Sequence, residues 1–308
     1  MADMTIFIIG HLCIDRIIID QKTEPPSMGG TAAFSSVVCS RLGAPEKVFV
    51  VSKIGPDFPE AFLTILKKSG VDTRYISYVK RYSTRYELIY TGDDRELTLK
   101  SVCAPITLDD LPQEIFNAKL IYFGPIANEI PLQTIIAIKE QANSLVALDI
   151  QGLVRHQDHH GKLYFRSNPK IDEVLSYIDI VKLDLKEAQI LTGASKIRDI
   201  SSYLSNLGVK MAIITKSRKG SVLYYERKLV KIPTVILHRI YSATGAGDCF
   251  FSSFLIEYLK TKDPLHAARF ATKVVSYLIG SPDGIQSFFV KGDIYKVIED
   301  FIEKNRVD

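Results

Sequence analysis

Residues 242–248 read Ser-Ala-Thr-Gly-Ala-Gly-Asp, and the apolar run Cys249-Phe250-Phe251 follows them directly. Small residues stand where a chain would turn from a strand into a helix, and apolar residues then recur at helical spacing. The first N–H groups of such a helix lack partners within it, and glycines at 245 and 247 let an anion approach the backbone. The stretch predicts an anion-binding turn with the carboxylate of Asp248 beside it.

Other glycine-rich loops fit this stretch less well. A phosphate-binding P-loop needs a Lys-Ser or Lys-Thr pair after the last glycine, where this chain has Asp248-Cys249. A dinucleotide fingerprint needs a third glycine at the position of Phe250. A turn that merely begins a helix remains the alternative. An acid beside an electropositive backbone fits a reaction in which a hydroxyl loses its proton while its target gathers negative charge, as in phosphoryl transfer.

Composition narrows the class of protein. The 308 residues carry a net charge of only +4, and the charges are interspersed, which argues against a nucleic-acid partner. Apolar runs are too short for a membrane span, and the first residues lack the features of a signal peptide, so we expect a cytoplasmic protein. The four cysteines are scattered without the spacing of a zinc site or a redox pair, and we expect buried free thiols.

Short apolar runs alternate with helical patterns along the chain. The runs cover residues 6–9, 48–51, 120–124, 145–150, 180–183 and 211–215. This alternation predicts a mostly parallel sheet covered by helices, with ligands beyond the carboxyl ends of its strands. Residues 84–90 and 96–100 are rich in β-formers and flank a turn at 91–95, which predicts a hairpin. We assign this hairpin, together with residues 14–20, to a small β lid.

With the turn, the hairpin and the alternation together, the chain resembles the ribokinase-like (PfkB) carbohydrate kinase family. The match rests on residues 242–248, on Gly29-Gly30 and on Asp15 after the first strand. Residues 149–155 make the chain more similar to archaeal and inositol-type members than to ribokinase itself. The resemblance implies a three-layer α/β/α sandwich with a mostly parallel central sheet. It implies one domain over residues 1–308, with a lid formed by about 14–28 and 81–100.

The resemblance also implies the reaction. Family members transfer the γ-phosphate of ATP to a hydroxyl group, with magnesium. For this chain we expect an inositol-like polyol or an uncommon sugar as the acceptor. Two alternatives stay open: a nucleoside kinase of the same family, with a pocket that stacks a base on aromatic side chains, and a catalytically silent nucleotide-binding protein on the same scaffold. Exposed lid strands would allow a homodimer.

The candidate site residues fall into four groups. Asp248 is the expected catalytic base, with Gly245, Ala246 and Gly247 as the anion hole. The expected acceptor-binding residues are Asp15, Gly29, Gly30, Thr31, Phe34, Asp149 and Arg155. The expected nucleotide-binding residues are Lys182, Asp184, Thr215, Ser217, Gly220, Thr244 and Thr272. Glu187 is expected to order magnesium through water.

Three positions depart from the family pattern. Asp184 stands where the motif before Glu187 begins with asparagine, which adds a negative charge near the metal. Ser242 replaces an aspartate that many members use near a monovalent cation, so potassium activation is not expected. Phe34 replaces an asparagine that bonds the sugar in ribokinases, so the acceptor pocket should differ from theirs.

Some of these residues have structural interpretations as well. Asp184-x-x-Glu187 is also a capping-box pattern at a helix start. Asp149 is either a pocket residue or a turn former, and Arg155 either binds an acceptor or phosphate or lies at the surface. The polar segment 155–162, with His156, His159 and His160, predicts a solvated loop rather than a metal site.

Overall fold

The computed structural model describes residues 4–43, 47–91, 94–289 and 292–307. Part of the turn predicted between the lid strands, residues 92 and 93, lies outside the described residues.

The strands are, in chain order, β1 (Ile6–Ile9), β2 (Cys13–Ile19), β3 (Lys22–Thr23), β4 (Ser27–Gly29), β5 (Val48–Ile54), β6 (Val71–Asp72), β7 (Ile76–Tyr78), β8 (Thr84–Thr91), β9 (Asp94–Ser101), β10 (Leu120–Phe123), β11 (Leu145–Asp149), β12 (Arg155–Gln157), β13 (Leu163–Phe165), β14 (Ile180–Asp184), β15 (Met211–Thr215), β16 (Ser221–Tyr225) and β17 (Lys228–Ile232). The α-helices are α1 (Thr31–Leu42), α2 (Glu60–Lys68), α3 (Leu132–Gln141), α4 (Gln151–Val154), α5 (Lys170–Leu175), α6 (Leu185–Thr192), α7 (Ile197–Asn206), α8 (Ala246–Thr261), α9 (Pro264–Gly280) and α10 (Ile294–Asn305).

The central sheet confirms the predicted alternation. Its strand order is β17-β16-β15-β14-β11-β10-β1-β5-β6, with β7 also paired to β5. All pairs from β15 to β7 are parallel, and the hairpin of β16 and β17 adds an antiparallel edge. The short apolar runs form these strands because both of their faces are buried under helices.

Alternate side chains of β1 show the three layers. Ile6 and Ile8 belong to a core shared with α1, α8, α9 and α10, whereas Phe7 and Ile9 belong to a core shared with α3, α5, α6 and α7. Successive side chains of a strand point to opposite faces, so each face of the sheet is closed by its own helical layer. The structure is therefore the expected α/β/α sandwich.

A second sheet contains the predicted lid strands. Its order is β3-β2-β8-β9, and β4 pairs with β2. The hairpin of β8 and β9 is antiparallel as predicted, but β8 lies parallel to β2, with Cys13 opposite Thr84. The ends of the segment 23–27 belong to β3 and β4.

The prediction of a solvated loop over residues 155–162 is correct only in part, because His159 and His160 lie exposed in a turn whereas residues 155–157 form a strand. Arg155–Gln157 forms β12, which pairs with β13 in an antiparallel hairpin. This hairpin also reaches the second sheet, since the N–H of Leu99 donates to the carbonyl of Gly161 at 2.9 Å and Thr98 pairs with Lys162. The polar composition that suggested a loop therefore belongs in part to a strand pair that is bridged to the second sheet.

The helices and the cysteines of the structure bear on two expectations from composition. In the described part of the chain, no helix combines the length and hydropathy needed to cross a bilayer. The four cysteines are free thiols with buried side chains, as expected.

Candidate active site

The turn before α8 has the geometry of an anion-binding helix start. Gly245 precedes the helix with φ of 75°, a left-handed conformation that favours glycine. A Cβ atom there would lie 2.4 Å from the ring of Phe34. Position 245 therefore excludes side chains for two reasons, and Phe34 packs directly against the turn.

Two backbone N–H groups of this turn remain available. The N–H of Ala246, expected to face an anion, donates instead to the carbonyl of Ala243 at 3.2 Å. Among the described residues, no hydrogen bond is formed by the N–H of Gly247 or of Asp248. These two groups, together with the positive end of the helix dipole, form the electropositive face of the turn.

Asp248 is held by a chain of hydrogen bonds. The hydroxyl of Thr31, at the start of α1, donates to Oδ1 of Asp248 at 2.7 Å. The amide nitrogen of Gln151 donates in turn to the same hydroxyl oxygen at 2.7 Å, which directs the hydroxyl proton toward the carboxylate. Burial raises the pKa of Asp248 above its ordinary value, although Lys182, the Thr31 hydrogen bond and Arg155 oppose this effect.

A buried ion pair lies beneath the turn. Nζ of Lys182 on β14 is 2.8 Å from Oδ2 of Asp149 at the end of β11, and both side chains are almost fully buried. Burial alone would lower the pKa of Lys182, but the nearby carboxylates Asp149, Glu187 and Asp248 raise it above its ordinary value. The ammonium therefore stays charged. It lies close to the turn, since a Cβ atom placed on Gly247 would be 3.1 Å from its nitrogen.

The capping box predicted at the start of α6 is present. The N–H of Glu187 donates to Asp184 Oδ1 at 2.7 Å, and the N–H of Asp184 donates to Glu187 Oε2 at 2.8 Å. The other carboxylate oxygen of Glu187 is 2.9 Å from Nη2 of Arg155. The interpretation of Arg155 as a surface residue was wrong, because its guanidinium pairs with a fully buried carboxylate.

Carboxylates outnumber cations around the turn. The carboxyls of Asp184 and Asp248 each interact with that of Glu187, and Lys182 and Arg155 supply the opposing positive charges. Among the described residues, no three carboxylate, histidine or cysteine side chains form a group that could hold a metal ion. A divalent cation such as magnesium would therefore depend on one or two of these carboxylates together with water and phosphate oxygens. Because both oxygens of Glu187 already accept hydrogen bonds, contact through water fits this residue better than direct ligation.

Five of the seven expected acceptor-binding residues lie at or beside the first turn of α1, whereas Asp149 and Arg155 pair with Lys182 and Glu187. Asp15 on β2 is buried, and its carboxylate accepts from the thiol of Cys13 at 3.1 Å. A Cβ atom on Gly29 would lie 2.1 Å from Oδ2 of Asp15, so only glycine leaves room for this carboxylate. Gly30 follows with φ of 93° and precedes Thr31, which joins the acceptor end to Asp248.

The expected nucleotide-binding residues lie on two sides of the turn. Thr215 ends β15 directly beside Asp184 at the end of β14, so both lie at the carboxyl edge of the sheet. Ser217 (φ of 52°) and Gly220 (φ of 77°) form the exposed turn that follows.

Thr244 and Thr272 belong to the helical side. The N–H of Thr244 donates to the hydroxyl of Ser242 at 3.2 Å. Thr272 is half-buried on α9, which packs against α8 and β17, and its hydroxyl donates to the carbonyl of Ala268 in its own helix.

Sequence reasoning missed three residues near this site. Gln151 positions the Thr31 hydroxyl, and Glu129, a buried carboxylate, accepts from the N–H groups of His11 and Ile126 behind the acceptor end. His156 has a buried Nε2 atom without a hydrogen-bond partner among the described residues. Gln151 had a weak signal, because it follows the strand-end residue Asp149. Glu129 had none, since a single glutamate between Asn128 and Ile130 indicates no partner.

Comparison with known proteins agrees with this geometry. Residues 4–288 match the model of the pfkB family of carbohydrate kinases. A cytidine kinase of Thermococcus kodakarensis is 28% identical over 83% of this chain and 88% of its own length. A nucleoside kinase of Methanocaldococcus jannaschii is 25% identical over 97% of both chains.

Solved structures share the fold. A pyrophosphate-dependent kinase in the ribokinase family, complexed with a pyrophosphate analog and myo-inositol, superposes with a TM-score of 0.79. It is 24% identical, and the match covers 92% of this chain and 98% of that chain. The family match spans nearly the whole described chain, and the chain belongs to the pfkB family of carbohydrate kinases, phosphotransferases that act on a hydroxyl acceptor.

Proposed function

We propose that this protein transfers the γ-phosphate of ATP to a hydroxyl group of a polyhydroxylated small molecule, with Asp248 as the general base. The observation that carries the proposal is the position of the Asp248 carboxylate. It lies at the start of α8 beside two N–H groups that form no hydrogen bond within the described part of the chain, and the hydroxyl of Thr31 holds it in place. A carboxylate kept there only for helix stability would gain about 0.3–1 kcal/mol from the dipole and would need no glycine turn.

The chemistry follows from these positions. The acceptor hydroxyl gives its proton to Asp248, and its oxygen forms a bond to the γ-phosphorus while the bond to the leaving ADP oxygen breaks. The N–H groups of Gly247 and Asp248 and the ammonium of Lys182 stabilise the negative charge on the transferred group. Because the transition state is loose, the alignment of acceptor and donor contributes as much as early deprotonation.

The donor end uses the carboxyl edge of the sheet. Kinases of this family use ATP, which implies a divalent metal, and we propose magnesium held through water by Glu187, with Asp184 nearby. The metal, when bound, neutralises charge on the β- and γ-phosphates. Thr215 and the turn at Ser217–Gly220 would contact the nucleotide from one side, and Thr244 and Thr272 from the other.

The acceptor end uses the second sheet. Asp15, Gly29, Gly30 and Thr31 would bind the hydroxyl groups of the acceptor, with Phe34 closing the pocket on the side of the turn. The second sheet would act as the predicted lid and exclude water, which limits hydrolysis of ATP. A homodimer would form through the edge at β3, because β9 at the other edge is bridged to Lys162.

The experiment compares Asp248→Asn with Asp199→Asn, which makes the same change in the exposed first turn of α7. Phosphoryl transfer is measured with ATP or pyrophosphate as donor against nucleosides, ribose, hexoses and myo-inositol, with magnesium. Asp248→Asn should lower turnover on the order of 10²–10⁴-fold, and Asp199→Asn should leave it unchanged. Near-normal turnover of a folded, ATP-binding Asp248→Asn variant would show that this carboxylate is not the base.

A further inference from the structure

A cavity of about 180 Å³ lies between the hairpin of β12 and β13 and the second sheet. One part of its wall is apolar and consists of Tyr86, Leu99, Ile126 and Leu163. Tyr86 is fixed there, because its hydroxyl donates to the carbonyl of Ile126 at 2.5 Å. The apolar wall is therefore rigid, and it suits the faces of a flat apolar ring.

Apart from Ala127, the remaining wall is polar. It includes Asn128, Arg155, His156 and Gln157. The Nε2 atom of His156 is buried and has no hydrogen-bond partner among the described residues. The imidazole ring stacks on Tyr164 with a centroid distance of 5.8 Å, which limits its rotation. A buried ring nitrogen without a partner costs free energy, and a ligand that supplied the partner would recover it.

The cavity adjoins the acceptor end of the site. Tyr86 on β8 lies directly opposite Asp15 on β2, so the cavity wall and the proposed hydroxyl-binding carboxylate are neighbours. On the other side, Arg155 lines the cavity and pairs with Glu187 near the turn of α8. A molecule with hydroxyl groups at Asp15 would place any further ring of its structure in this cavity.

We propose that the cavity binds the heterocyclic base of a nucleoside acceptor, with Nε2 of His156 hydrogen-bonded to the edge of the base. This rests on the proposed function and names its substrate class. A nucleobase has apolar faces and a hydrogen-bonding edge, which matches the two kinds of wall. Free sugars and inositols are polar on all sides, so they would leave the apolar wall uncompensated. A neutral imidazole nitrogen donates or accepts according to its tautomer, so it can bond to either an acceptor or a donor on the edge of the base.

The first test measures the contribution of the histidine. His156→Phe keeps a ring of similar shape over Tyr164 but removes both nitrogens, and His160→Phe makes the same change at an exposed position of the same hairpin. With the preferred nucleoside, His156→Phe should raise KM roughly tenfold, the ratio that one hydrogen bond commonly accounts for, with kcat nearly unchanged. The KM for free ribose should stay the same, and His160→Phe should change neither value.

The second test fills the cavity. Leu163→Trp should abolish nucleoside phosphorylation while phosphorylation of ribose continues, which also shows that the variant is folded. The inference is overturned if ribose or myo-inositol is phosphorylated and no nucleoside is, or if nucleoside KM is unaffected by both changes. In either of those cases, loss of transfer in Asp248→Asn would still support the proposed function, so the two failures are distinguishable.

Discussion

Replacing Thr31 with valine removes one hydroxyl and leaves the shape of the side chain unchanged. That hydroxyl donates to Asp248 Oδ1 at 2.7 Å and lowers the pKa of the carboxyl, against the effect of burial, which raises it. The methyl branch of Thr31 packs beside Gly124, where a Cβ atom would lie 2.4 Å from it, and valine retains this branch. The change therefore removes the two hydrogen bonds of this hydroxyl, the one to Asp248 and the one from Gln151, and leaves its packing in place.

The size of the effect follows from the bond that is lost. A hydrogen bond to a charged group contributes about 1.5–3 kcal/mol, and about 1.4 kcal/mol corresponds to one pKa unit. The pKa of Asp248 should therefore rise further in Thr31→Val. Since the proposed base must be ionised, activity should be lost from the acidic side. The acidic limb of the pH profile should move to higher pH, and kcat/KM on that limb should be lower by about tenfold or more.

The assay is kcat/KM measured from acidic to neutral pH, which reports pKa values of the free enzyme. Thr31→Ser is the control, because it keeps the hydroxyl and removes only the methyl group, and its acidic limb should stay near that of the parent. An unchanged limb in a folded Thr31→Val enzyme would refute the assignment of Asp248 as the base whose pKa this hydroxyl sets.

Three further changes test other parts of the structure. Gly245→Ala should lower turnover and cost about 1–2 kcal/mol of stability, because alanine is strained at a φ of 75° and meets the Phe34 ring. Adding Phe34→Leu should restore part of the melting temperature. Full recovery of turnover in this double variant would contradict the argument. Lys182→Met should lower the free energy of unfolding by about 3–5 kcal/mol in urea titrations, because it leaves the buried Asp149 carboxylate without its partner. The double variant with Asp149→Asn should recover most of this loss. If the losses of the two single variants simply add in the double variant, the two residues are not a coupled pair. Asp179→Asn should lower the free energy of unfolding at pH 7 by about 1–3 kcal/mol without affecting turnover. Burial raises the pKa of this carboxyl, but hydrogen bonds from two lysines and a backbone N–H lower it by more. The folded-state pKa of this carboxyl lies below its ordinary value of 3.8. The difference in unfolding free energy between parent and Asp179→Asn should therefore be complete well above pH 3.8 and disappear as the pH falls through the folded-state pKa. A difference of equal size at about pH 2 would be inconsistent with this reasoning.

The central sheet follows from the sequence because its information is local. Each buried parallel strand is a short apolar run, as at Ile6–Ile9, and each crossover contains a helical pattern. The hairpin of β12 and β13 was not predictable in this way. Its strands have three residues each and mixed exposure, and β9 supports them from a distant part of the chain.

The same distinction between local sequence information and distant contacts applies to the candidate site. The turn at 245–248 and the capping box at 184–187 are contiguous, so their geometry could be predicted from residue types. The bond between Thr31 and Asp248 joins positions 217 residues apart, and the roles of Gln151 and His156 depend on tertiary neighbours. The functions assigned to these residues remain predictions until the variants are measured.

The parallel pairing of β2 with β8 has a consequence for folding order. Cys13 pairs with Thr84, and α1, β5 and α2 lie between the two strands in the chain. Closing so long a loop costs entropy that local contacts within either strand cannot repay. The central layers must therefore assemble first and bring the two strands together. The sheet over the acceptor end is thus expected to be a late-forming unit, and local opening of this unit is expected to cost less free energy than unfolding of the layers below.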